Sequence, residues 1–197
     1  MRRRWAFGAV SLVFMLAACT TTTDTSTNPA TDSVSDIPVD LLHDRFAARI
    51  AVTDIEKEVG VESAMVRTIS VYQTYLIMEV QDPGIPEHID EYTWRDGVVD
   101  PPEPVHLSGP QEEIEAALYP TTAVNLGELA HIVKTAERHL ERAKPVRIEQ
   151  ARASYLYMER SSSLDGRVTI RISISGPRRS GNVETTASGD ILNESVS

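Results

Sequence analysis

One cysteine in 197 residues is all the thiol chemistry this chain has. A disulfide within the chain is excluded, and so are a thiolate zinc site and an iron–sulfur cluster. Aromatic residues are few, with three Phe, two Trp and six Tyr, thin material for lining a large lipid cavity. Basic charge is also short. Nineteen Lys and Arg face 29 Asp and Glu, for a formal net charge of −10. Nucleic acid as a partner is excluded on that balance, because its phosphates need Lys and Arg, and a polybasic membrane-surface patch is excluded with it. Catalytic signatures are missing as well. There is no Gly-x-Ser-x-Gly elbow, Walker loop, dinucleotide glycine pattern or His-Glu-x-x-His. No cofactor is expected, and the chain is not expected to be an enzyme.

What is present begins at the N-terminus. Three arginines at 2–4 precede the apolar run Trp5–Ala18. Fourteen helical residues span about 21 Å, short of the ~30 Å hydrocarbon core, so the segment reads as an export signal and not a transmembrane helix. Leu16-Ala17-Ala18-Cys19 follows, and it resembles the bacterial lipobox. That resemblance implies cleavage before Cys19, a diacylglycerol on its sulfur, and anchorage of the protein on the outer face of the cell membrane. It covers residues 1–19 only. Removing residues 1–18 takes away three arginines and no acid, which moves the formal net charge from −10 to −13.

Residues 20–36 hold ten Ser or Thr in seventeen positions and no aromatic residue. Such a segment cannot bury enough surface to offset its ordering entropy, so residues 19–37 are expected to form a lipidated, disordered tether. The remainder is long enough for one ordinary domain or two small ones.

That remainder reads as a duplication. "VRTISVYQTYLIME" from Val66 and "VRIEQARASYLYME" from Val146 share six identities in fourteen without a gap. A helix precedes each match. Leu126, Leu129, Val133, Ala136, Leu140 and Ala143 form one apolar stripe. Leu41, Ala48, Val52, Ile55 and Val59 form another, with Gly60 placed to end it. Phe46 and Ile50 lie off that second stripe, which predicts a helix covered on two sides. Strands are expected after each helix: 66–72 with 75–81, 88–95 with 98–100 about Asp96-Gly97, then 146–152 with 155–160, the alternating run 168–174, and 182–191.

The expected fold is therefore α+β, with two tandem α-β-β-β-β repeats at 38–106 and 125–197. Residues 107–124 join them, with a short helix at 111–118. In element order this is similar to the PepSY and beta-lactamase-inhibitory-protein type of secreted domain. "DEYTWRDGVV" also resembles a segment of uncharacterised lipoproteins of high-GC Gram-positive bacteria. Neither resemblance brings an activity or a binding residue.

Candidate chemistry is sparse. Glu87, His88, Asp90 and Glu91 cluster, but strand alternation would split them between two faces, too few on either side for a metal. His131 and His139 lie two helical turns apart, about 12 Å. Ser161-Ser162-Ser163 lacks an evident base. The tyrosines offer more. If Leu76, Met78, Leu156 and Met158 face the helices, then Tyr75, Ile77, Tyr155 and Tyr157 face away, with Thr169 and Arg171 on the same side. Burial of that face between the two halves is the simpler expectation, with Trp94 as a core anchor. The other reading is an exposed interface, in which Tyr75, Tyr155 and Tyr157 are the candidate partner-binding residues. Two functions fit: a membrane-anchored, non-catalytic lipoprotein that binds an envelope protein, or a carrier of a small ligand or lipid in a pocket between helix and strands.

Overall fold

The structure is a computed structural model that describes residues 39–197. Cys19 and the Ser/Thr-rich segment lie outside the described residues. Residues 39–197 form one compact unit. Its elements run α1 (Ala47–Val59), β1 (Met65–Tyr72), β2 (Tyr75–Gln81), β3 (Ile89–Arg95), β4 (Val98–Val99), β5 (Glu103–Pro104), α2 (Gln111–Ala117), β6 (Tyr119–Pro120), α3 (Leu129–Arg142), β7 (Arg152–Arg160), β8 (Val168–Ser175), β9 (Ser180–Thr186) and β10 (Ile191–Val196). Short 3-10 turns at Thr121–Ala123, Leu126–Glu128 and Ser162–Leu164 fill the connections.

All ten strands belong to one antiparallel sheet. Its order is β10-β9-β8-β7-β1-β2-β3-β4, with β5 on β3 and β6 on β1. The α+β class is as expected, but two separate repeats are not what forms. A helix and four strands do occur twice in the chain, and the two sets meet edge to edge where β1 pairs with β7. They share a single core, in which Val52 and Ile55 of α1 and Val133 and Leu140 of α3 join Ile69, Leu76, Met78, Leu156, Met158 and Ile172 of the sheet.

The internal sequence match falls on different elements from those expected. Residues 146–151 are irregular and not a strand. There Ile148 is fully buried, with its backbone N–H donating to the carbonyl of Leu140 at 3.0 Å. "YLIME" lies in β2 and "YLYME" in β7, the two strands that flank β1. Both take the same register against it: Ile69 faces Met78 and Met158, and Val71 faces Leu76 and Leu156. Each segment therefore packs against the same central strand, with Leu76, Met78, Leu156 and Met158 in one core. A strand pattern repeats every two residues, so equal register on β1 imposes equal alternation.

Both long helices form for the reason their stripes suggest. Ala48, Ala51, Val52 and Ile55 turn one face of α1 inward. Gly60, at φ 82°, ends it by donating its N–H to the carbonyls of Glu56 and Lys57, a left-handed cap that suits glycine. Leu129, Ile132, Val133, Ala136 and Leu140 do the same for α3. The outer side of α1 is not covered: Phe46 is 49% and Ile50 55% exposed, and the Arg45 guanidinium lies over the Phe46 ring at 5.1 Å. The C-terminal region also differs from expectation. The single strand expected at 182–191 is instead the middle of the β9–β10 hairpin. No helix among the described residues is long and apolar enough to cross a membrane.

Candidate functional site

The face of the sheet opposite α1 and α3 carries the polar and aromatic halves of the strand alternation. Across β3, β2, β1 and β7 it presents one continuous row. Arg95 is opposite Tyr75 in register, and Tyr72 is opposite Tyr155. The guanidinium of Arg95 lies over the Tyr75 ring at 4.7 Å. Tyr75 stacks on Tyr72 with centroids 4.3 Å apart and planes inclined by 11°. Tyr72 stacks on Tyr155 at 5.6 Å and 21°. The rings stand side by side on the sheet, flat faces against each other, so that their edges are turned to solvent. Tyr155 is 37% exposed, and Tyr72 and Tyr75 are half-buried.

One step along the strands the row changes character. Tyr157 lies between Ser70 and Arg171 in register. Burial pushes its phenol above the ordinary range, Glu159 and Glu79 push it the same way, and Arg67 opposes them. A further step on, Arg67 grips Glu79 with two donors at 2.7 Å each, and the Thr68 hydroxyl donates to the same carboxylate at 2.9 Å. This is the fork geometry in which a guanidinium binds a carboxylate most firmly. Thr68 and Arg67 both reach that side because a β-bulge interrupts β1 between Val66 and Thr68. The face is thus aromatic at one end and a paired acid–base cluster at the other.

The structure brings Tyr75 and Tyr155 into one row and sets Tyr157 beside it. Burial of these residues between two halves does not occur, because the halves extend one sheet instead of stacking two. Two members of the row escaped the sequence reading. Tyr72 closes the expected strand 66–72, and alternation from Ile69 and Val71 directs it to the outer face. Arg95 needed the β2–β3 register, which spans the irregular connection at 82–88 and is not set by a tight two-residue turn. Trp94 is a buried core residue, and its indole N–H donates to Asp54 at 3.2 Å.

The remaining candidates do not assemble. Glu87 and His88 are exposed ahead of β3, and among the described residues no group of three or more His, Cys, Asp and Glu could hold a metal ion. His139 contacts Glu194, while His131 is exposed on α3. Ser161 and Ser163 bond to each other at 2.9 Å. The sequence reading missed one titratable group altogether. His43, just ahead of α1, has Nδ1 2.9 Å from Asp40 and Nε2 2.9 Å from Glu137. Both ring nitrogens are occupied by carboxylates, so this imidazole has no nitrogen left to exchange a proton with a substrate.

No protein-family model matches this chain, and no curated protein matches it. Among solved structures, one described as a "putative lipoprotein" from Clostridium difficile 630 is similar, with a TM-score of 0.49 and 11% sequence identity. The match covers 83% of this chain and 97% of that one.

Proposed function

We propose that this chain is a membrane-anchored, extracytoplasmic lipoprotein without catalytic activity, whose open sheet face binds a protein of the cell envelope as an adaptor or inhibitor. The anchor rests on the lipobox resemblance at Leu16-Ala17-Ala18-Cys19. The tether that follows would carry the compact unit away from the bilayer, with a typical reach of roughly 20–25 Å.

The single observation that carries the binding role is the row Arg95–Tyr75–Tyr72–Tyr155 on the sheet face away from the helices. Tyrosine and arginine concentrate at the centres of protein interfaces, where rigid aromatic area is gained at little entropic cost. Stacking fixes each ring before a partner arrives, which lowers the ordering cost of binding. Edge-to-edge joining of two four-stranded halves serves the same end, because it doubles the width of the face. We read the repeated α-β-β-β-β plan as a device for presenting one broad surface.

The test is capture. Residues 20–197, immobilised by the N-terminal end, are exposed to solubilised envelope from the producing cell. One protein should be enriched, and Tyr75→Ala with Tyr155→Ala and Tyr157→Ala should abolish its retention while leaving the circular dichroism unchanged. Equal retention by the triple variant would refute the sheet-face assignment.

A further inference from the structure

The charges of this chain are segregated along its length. Residues 51–130 hold sixteen Asp and Glu against three Lys and Arg, whereas residues 131–197 hold eight against eleven. The overall excess of acid excludes a polybasic patch only if charge is spread evenly, and the fold does not spread it evenly. Arg142 ends α3, Lys144 and Arg147 lie in the connection to β7, and Arg178 and Arg179 lie in the β8–β9 turn. All five are exposed. Three of them, Arg147, Arg178 and Arg179, line one cavity of about 340 Å³ between the two connections.

Packing fixes this cluster. The buried Ile148 donates its N–H to the Leu140 carbonyl at 3.0 Å, which folds the connection back on α3. Gly176 lets the β8–β9 turn press on that connection, because a Cβ there would fall 2.3 Å from the carbonyl oxygen of Glu149. Residues 141–149 and 176–179 contain two acids, Glu141 and Glu149. Glu149 already accepts from Arg147, at 3.2 Å. Five bases against two acids leave the cluster positive. A helix C-terminus attracts cations, which accounts for Arg142 and Lys144 but not for three arginines around one cavity.

The chain enters the compact unit at the same end. Asp40 accepts from the Arg152 guanidinium at 3.2 Å. Arg152 is opposite Ser175 in register, where β8 closes just ahead of the arginine turn. Residues 20–38 join this entry to Cys19, and nineteen residues have a typical reach of about 22–26 Å. We propose that this basic end docks on the anionic phospholipid surface of the membrane that holds the anchor, an inference that rests on the lipoprotein reading above. The phosphodiester head groups meet Arg147, Arg178 and Arg179, whose guanidinium forks match phosphate oxygens. Attraction to such a surface grows with each base and fades within a screening length of about 8 Å. Asp90 and Glu91 lie on β3, four strands along the sheet from β8, about 19 Å away. Acids at that distance are screened and do not cancel the contact. Docking of this kind is weak and reversible. It orients a unit that the tether already keeps near the bilayer, and it does not replace the anchor.

The test uses residues 20–197, which lack Cys19, so its result does not depend on whether the anchor forms. At low ionic strength the protein should sediment with vesicles of mixed phosphatidylglycerol and phosphatidylcholine, and not with vesicles of phosphatidylcholine alone. Added salt should release it. Arg178→Glu with Arg179→Glu changes two exposed side chains of a turn and should weaken vesicle binding about tenfold or more, with unchanged circular dichroism. Arg142→Glu with Arg147→Glu should do the same. Arg49→Glu on α1 with Arg167→Glu at the opposite end of β8 makes an equal change in net charge at exposed positions, and should leave binding within about twofold of wild type. Absence of binding to the anionic vesicles, equal binding to the neutral ones, equal loss in the Arg49 and Arg167 pair, or displacement by soluble glycerol phosphate would each overturn the proposal. Failure of the anchor itself shows separately, in membrane fractionation of Cys19→Ala.

Discussion

The Nε2 of His43 lies 2.9 Å from the Oε1 of Glu137, joining the segment that leads into α1 to the buried side of α3. The same Glu137 oxygen accepts the backbone N–H of Ala153 at 2.8 Å, so one carboxylate ties the chain's entry, a helix and the central strand β7 together. Glu137 is only 7% exposed. Glu137→Ala leaves a buried N–H and the imidazole without their acceptor, and is expected to cost about 2–4 kcal/mol in urea unfolding. Glu137→Gln keeps a carbonyl for Ala153 and should lose roughly 1 kcal/mol. Equal stability of wild type and Glu137→Ala would remove this clasp from the account.

Asp40 gives the clasp its pH dependence. Burial works to raise its pKa, but the hydrogen bond and charge of His43 outweigh that, helped by the Gln73 amide and the Leu42 N–H. The carboxyl is therefore held below its ordinary 3.8. A lowered folded-state pKa contributes stability that is present above the ordinary value and lost as pH falls through the lowered one. Wild type should be more stable than Asp40→Asn at neutral pH, and the gap should close below about pH 4. A gap that stayed constant down to pH 2 would contradict the shift.

The tyrosines should titrate unequally. Burial, the leading cause in each case, raises the phenols of Tyr72, Tyr92, Tyr119 and Tyr157. Tyr119 stands furthest out, fully buried with its hydroxyl donating to the carbonyl of Met158 at 3.1 Å. Phenolate absorbance of the folded protein should lag behind that of the urea-unfolded protein as pH passes about 10. Stability should fall over the same range, because the unfolded chain there holds fewer protons. Superimposable titrations of the folded and unfolded protein would be incompatible with these environments.

At the N-terminus the outcome is cellular. Cys19→Ala should move the protein from the membrane fraction to the soluble fraction, since it removes the sulfur that the proposed lipid anchor would be attached to. Persistence of the variant in alkali-washed membranes would defeat the lipoprotein reading.

Much of this was legible in the chain. Period-two alternation in 75–79, 155–159 and 168–174 correctly turned Leu76, Met78, Leu156 and Met158 toward the helices. Gly60 and the stripe on α3 located two helix features for the same local reason. What could not be read is non-local. The match between 66–79 and 146–159 invited alignment of two hairpins, whereas its second halves are the two strands that flank β1 in equivalent register. No local pattern says whether two halves stack or continue one sheet, and that choice decided whether Tyr155 was buried or open. His43 and Glu137 are 94 positions apart, a pairing that only the folded chain makes.

The most direct test of the central claim is site-specific photo-crosslinking in the intact cell. A photoreactive phenylalanine at Tyr155 probes the open sheet face, and the same group at Lys134, exposed on α3, probes the helical side. The account predicts one discrete crosslinked envelope protein from position 155 and none from position 134. Crosslinking from 134 alone, or none from either position, would contradict the assignment of the tyrosine face as the binding surface.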